Sequence, residues 1–147
     1  MNRTHQRVAV YGLIFNPSQE ILIVKRSLTD SHPGLWEMPG GALEYGEQPH
    51  EGALREIKEE TNLDAKILFP ISTLSGFSEK TPNIQVIRIA FLCYATNPGL
   101  VKLSHEHIEH QWINPKDISL SSLSEFLQAT IKQILKHPQL LTSLLDN

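Results

Sequence analysis

The sequence predicts one α/β domain over residues 1–147, a mixed β-sheet layered between flanking helices. Two apolar runs of strand length, VAVYGLIF and NIQVIRIAFLCYAT, lie on either side of an amphipathic helical segment. A second apolar stripe at helical spacing closes the chain. A length of 147 residues suits one domain whose core needs neither disulfides nor a structural metal.

Val8 to Phe15 reads as a buried strand, and Asn16-Pro17-Ser18 turns it into a second strand, Ile21 to Arg26. SLTDSHPGLW, from Ser27 to Trp36, is loop-like, with Pro33-Gly34 as its punctuation. Pro39-Gly40-Gly41 allows a tight path that residues with a Cβ would resist. Pro49 then suits the first position of a helix, where its missing N–H would be unpaired anyway. Ala53 and Ile57 lie one turn apart with Leu54 beside them, a narrow apolar face. Asn62 is the expected stop, since Asn tolerates the left-handed conformation.

Two strands follow, Lys66 to Phe77 and Asn83 to Thr96. The second is apolar on both alternating faces, which places it centrally in a sheet covered on both sides. A shorter strand spans His110 to Ile113. The last helix should start near Ser122, with Ser122 and Glu125 as a capping box. Its stripe of Leu123, Phe126, Leu127, Ile131, Ile134 and Leu135 should pack on the sheet up to Pro138.

Thirteen Lys and Arg stand against sixteen Asp and Glu, a net charge of −3 that gives no reason to expect a DNA or RNA polymer or an anionic membrane as partner. The lone cysteine, Cys93, reads as a buried structural thiol. The N-terminus lacks the apolar stretch of a signal peptide, and no run approaches the ~18 residues that span a bilayer, so a cytoplasmic location is expected.

Function is written in GALEYGEQPHEGALREIKEETNL, Gly41 to Leu63. On a helix, Glu59 and Glu60 stand three and four residues beyond Glu56, on one shared face. Uncompensated carboxylates so placed repel, and a hard cation converts the repulsion into coordination, with substrate phosphates as further ligands. Metal-dependent attack on a polyphosphate is the chemistry implied. Arg55 fits a bracing role, its planar guanidinium gripping a carboxylate through two parallel bonds, with Glu47 or Glu51 as partner.

The segment resembles the signature of the Nudix hydrolases, G-x5-E-x7-R-E-U-x-E-E-x-G-U with U bulky and apolar. Gly41, Glu47, Arg55-Glu56, Ile57, Glu59-Glu60 and Leu63 all match, and the one departure is Asn62 in place of glycine. The flanks agree as well: LWEMPGG before the box, two strands upstream, and a Glu-rich loop before Trp112. The resemblance implies the family's sandwich of mixed sheet between helices. It also implies Mg²⁺ or Mn²⁺ held by Glu56, Glu59 and Glu60, with the carbonyl of Gly40 or Gly41 as a further ligand. Arg55 would brace the loop through Glu47. Glu109, in a Glu-x-x-Trp arrangement before Trp112, would be the general base, with Glu59 or Glu56 as competitors.

Outside the box, Lys25 and Arg26 face either phosphate or solvent. Trp36 is expected to pack beneath the loop, and Phe77, between the two long strands, is the better candidate to stack on a base. His105, His107 and His110 match no zinc motif and read as exposed loop and strand histidines. The implied activity is hydrolysis of a nucleoside diphosphate-linked substrate, a small-molecule partner. The first choice is a (d)NTP pyrophosphohydrolase of the MutT-like branch, releasing the monophosphate and pyrophosphate. A nucleotide-sugar or ADP-ribose diphosphatase is second, and a non-catalytic nucleotide-binding module third. The chain is expected to be a monomer or a homodimer.

Overall fold

A computed structural model describes residues 5–29, 34–77 and 82–145. Strand β1, His5–Phe15, is the spine, and it runs parallel to β6, Ile84–Ala95, in unbroken register from His5↔Ile84 to Phe15↔Tyr94. On the outer side of β6 lies β5, Ala65–Phe77, antiparallel. The other edge of β1 is divided. β4, Gly40–Ala42, takes Ala9 to Tyr11, whereas β2, Ile21–Arg26, pairs with β1 only at Phe15↔Ile21. From there β2 leaves β1 and pairs with β3, Trp36–Glu37, and with β7, His107–Ile113. The sheet therefore opens into a cleft between β1 and β2, and β4 enters it.

Alternation along β1 feeds two cores. Ala9, Tyr11, Leu13 and Phe15 join α2, Glu125–Lys136, through Phe126, Leu127, Ile131 and Ile134. Val10 and Ile14 join α1, Pro49–Thr61, through Ala53 and Ile57. β6 is covered on both faces as expected: Ala90 and Leu92 face the α2 core, and Phe91, Cys93 and Ala95 the α1 core. Cys93 is fully buried, and burial pushes its thiol up to about 12. Gly12 lets α1 approach closely, because a Cβ there would stand 2.6 Å from Ile57 Cδ1.

Pro49 occupies the first turn of α1, and Asn62 ends the helix in the left-handed region at φ 65°, its N–H donating to the Lys58 carbonyl at 3.0 Å. Several boundaries differ from expectation. β7 begins at His107 rather than His110. Ser124, not Ser122, caps α2, its Oγ accepting from Leu127 N at 3.1 Å. Ser122 belongs to a short 3₁₀ turn, and Ser124 N is drawn to the Trp36 carbonyl while Leu123 sinks into the core. Leu135, placed in the stripe, is 43% exposed, and a further helix, α3, Gln139–Leu145, follows Pro138. Phe77 ends β5, as the expected strand bound has it. Pro33 lies outside the described residues.

The Asn62 geometry yields a stability test. Asn62→Gly relieves a left-handed cost but loses the Asn62 Nδ2 bond to the Leu100 carbonyl, so chemical denaturation should find it near neutral. Asn62→Val should lose about 1–2 kcal/mol, because a β-branched side chain resists that conformation.

Candidate active site

Arg55 is the hub of the site. Its Nε and Nη2 reach the two oxygens of Glu47 at 2.7 and 3.0 Å, and Nη2 also reaches the Ala42 carbonyl at 3.0 Å. Nη1 spans Glu56 Oε1 at 3.0 Å and Glu59 Oε2 at 3.3 Å. Of the two partners left open, Glu47 is the one bound. The Arg55 bonds hold its carboxyl well below the usual range, at about 2, helped by the Glu44 N–H.

Glu60 has a different environment. It is 5% exposed, and its Oε2 accepts the Gly40 N–H at 3.0 Å. Burial pushes its carboxyl up to about 9, with Glu56 and Glu106 adding to the rise against the pull of the Gly40 N–H and Arg26. Glu56 is also raised, chiefly by burial, although Arg55 opposes this. Gly41 lies directly against it: an added Cβ would stand 2.7 Å from the Glu56 carboxylate. Gly40 and Gly41, expected to offer a carbonyl, are thus packed against the acidic pair. Glu59 stays at the rim, its side chain 58% exposed.

Glu109 on β7 pairs with Lys25 on β2, their side chains 3.9 Å apart. Lys25 also lies 5.8 Å from the ring centre of Trp36. Glu106 comes to the carboxylates instead. One ligand atom each from Glu106, Glu60 and His107 lie within 4.8 Å of one another, the metal-competent group found among the described residues. Glu109, the expected base, thus stands opposite Lys25 on β2, and its loop neighbour Glu106 joins Glu60. His107, read as an exposed histidine, is half-buried there, whereas His105 and His110 stay exposed and outside the group.

Beside the cluster is a cavity of about 330 Å³, lined by Arg26, Glu37, Leu74, Phe77, Arg88 and Ser124 among others. Arg26 connects the two, since it lines the cavity and its charge acts on Glu60. Phe77, 64% exposed, stands at the cavity wall as a stacking candidate, and Lys25 is absent from it. Glu37 is 5% exposed, with Oε1 accepting Met38 N–H at 2.9 Å and Oε2 3.9 Å from Arg26 Nη2. Burial raises its carboxyl, opposed by Ser124, Met38, Arg26 and Arg88. Glu37 and Arg88 were missed in the sequence. The available signal for Arg88 was a single cation inside the apolar run NIQVIRIAFLCYAT.

The NUDIX domain family model matches residues 5–136. The chain belongs to the NUDIX family. It is 28% identical over 137 residues to the nucleoside triphosphatase NudI of Escherichia coli, covering 86% of this chain and 95% of that protein. A MutT-like protein of Streptomyces ambofaciens is 29% identical over 112 residues, 76% of this chain and 66% of that protein, so the match spans about two thirds of its length. The MutT protein of Methanosarcina mazei Go1 superposes with a TM-score of 0.80 at 28% identity, over 94% of this chain and 99% of that one. As a Nudix hydrolase the protein is a pyrophosphohydrolase, acting on nucleoside diphosphate-linked substrates with a divalent cation. The donors fit such an ion: Glu60, Glu106 and His107 bring one ligand atom each within 4.8 Å of one another, and the Glu56 charge acts on Glu60 beside them. Among the described residues no helix is long and apolar enough to cross a membrane.

Linkage gives the site a stability signature. Folded Glu60 keeps its proton up to about 9, whereas the unfolded chain releases it near the ordinary value of 4.5. Cation-free stability from this group is therefore full below 4.5 and is lost as pH rises toward 9. Denaturation in chelator at acid and alkaline pH should show wild type losing more stability than Glu60→Gln across that window. Added Mg²⁺ should restore wild type at the alkaline end and do little for the variant.

Proposed function

We propose that the protein is a (d)NTP pyrophosphohydrolase that releases a nucleoside monophosphate and pyrophosphate. The observation that carries this reading is the buried acidic cluster joined through Arg26 to a cavity of about 330 Å³. That volume is at the small end of the ~300–1,000 Å³ typical of ligand sites. It suits one nucleoside better than the two bulky groups of a nucleotide sugar or ADP-ribose. The relatives named nucleoside triphosphatase and MutT support the same choice.

In this reading the base enters the cavity, with Phe77 against its face and Glu37 and Arg88 at its edge. Arg26, at the junction, binds the phosphate chain. Glu60 and Glu106 hold the cation, with Glu59 at the rim and the Gly40–Gly41 carbonyls beside them. When bound, the cation, Mg²⁺ or Mn²⁺, neutralises phosphate charge and makes an attacking water more acidic. Glu56 takes the proton of that water: it is mostly buried, burial raises its carboxyl above the ordinary value, and it faces the same space as Glu106. The water oxygen bonds to phosphorus, the anhydride P–O bond breaks, and pyrophosphate leaves with that bond's electrons. Arg55 fixes Glu56 and does not touch substrate.

A panel of nucleoside triphosphates, nucleotide sugars and ADP-ribose, assayed with Mg²⁺ and with chelator and with both products identified, tests the assignment. Triphosphates should give monophosphate and pyrophosphate, and chelator should abolish turnover. Sequential release of inorganic phosphate, or a clear preference for ADP-ribose, would overturn the choice. Glu56→Gln should lower kcat by about 10²–10⁴ as a lost general base. Glu109→Gln should stay within about threefold of wild type, because its partner is Lys25.

A further inference from the structure

The late loop is fastened so that it presents an imidazole to the carboxylates. Ser104 N donates to the Glu60 carbonyl and Ser27 N to the Glu106 carbonyl, both at 3.0 Å, and Lys102 N donates to the Thr61 carbonyl at 2.9 Å. The end of α1, the end of β2 and the loop are thereby one framework. Trp112 packs in the core beneath α1. Strict alternation along β7 would put His110 and Ile108 on that side and turn His107 away. The pairing shifts register, however: Lys25 faces Glu109 while the next residue, Arg26, faces His107. Ile108 is the extra residue of this bulge, and it reverses the parity of the strand. His107 consequently turns toward Glu60 and Glu106, with one ligand atom from each of the three within 4.8 Å of the others.

Two carboxylates alone would suit Mg²⁺, a hard ion that prefers oxygen donors and near-octahedral geometry. An imidazole nitrogen changes the preference, because Mn²⁺, Co²⁺ and Zn²⁺ accept it far more readily than Mg²⁺ does. We propose that Glu60, Glu106 and His107 form a cation site that selects a nitrogen-accepting metal over Mg²⁺, with His107 as the residue that sets the selectivity. The inference rests on the functional reading above in that it concerns the same cleft, and it names the cation that reading leaves open.

The test uses the full chain, stripped with chelator and free of nucleotide. Calorimetry with Co²⁺ and Mg²⁺ should show Co²⁺ binding at least about tenfold tighter in wild type. His107→Gln should lose about tenfold or more of the Co²⁺ affinity while Mg²⁺ affinity moves less than about threefold. Pulsed EPR of the Mn²⁺-loaded protein should show ¹⁴N imidazole coupling that persists in His105→Gln and His110→Gln and vanishes in His107→Gln. Absence of ¹⁴N coupling in wild type overturns the inference, even if the variant does not fold. Its survival in folded His107→Gln, or an equal loss of both cations, overturns it too. Triphosphate hydrolysis without ¹⁴N coupling sinks this inference alone. Coupling without hydrolysis of any nucleotide sinks the pyrophosphohydrolase reading alone.

Discussion

The fork between Arg55 and Glu47 is the constraint on which the rest of the site depends. One guanidinium closes two parallel bonds on Glu47, a third on the Ala42 carbonyl, and further bonds on Glu56 and Glu59. It ties the segment leaving β4 to the middle of α1 and fixes the distance between them. That distance leaves Gly41 against the Glu56 carboxylate and Gly40 N–H on Glu60. Such a pairing is worth more than an exposed ion pair because both partners are largely shielded and the geometry is bidentate. Without it, several carboxylates on one turn would spread apart.

The sheet supplies the other half of the arrangement. β1 keeps one edge for β6 and divides the other, so β2 can swing away and carry β7 and its loop over the end of α1. Glu60 and the Glu106–His107 pair consequently come from two directions, the helix on one side and the loop on the other. Arg26, at the end of β2, lines the cavity and acts on Glu60 of the acidic cluster.

Much of this was legible in the chain because local rules governed it. The alternating apolar runs located β1, β2, β5 and β6, and Pro49 and Asn62 bracketed α1 to within a residue. Arg55, Glu56 and Glu60 were legible because helical spacing places them together without knowledge of anything distant. The late loop was not, since its orientation depends on one extra residue in β7, and a one-residue shift reverses every side chain beyond it. That is why His107 was read as an exposed histidine and instead turns toward Glu60. Likewise Ser122 satisfied a local capping pattern, but burial of Leu123 and the Trp36 carbonyl moved the helix start two residues on. Glu37 and Arg88 are far apart in sequence and meet only through the register of separate strands.

The outermost strand carries a consequence for solution behaviour. β5 ends the sheet, and thirteen residues of unpaired edge would ordinarily template another strand. Pro70 has no N–H to offer, and the register slips at Ile67/Phe69 and again at Pro70/Ser72. A second strand could not zip along that edge in one continuous ladder. Concentrated protein is thereby guarded against growing ribbons from this side, at the expense of a few hydrogen bonds that a smoother strand would have offered.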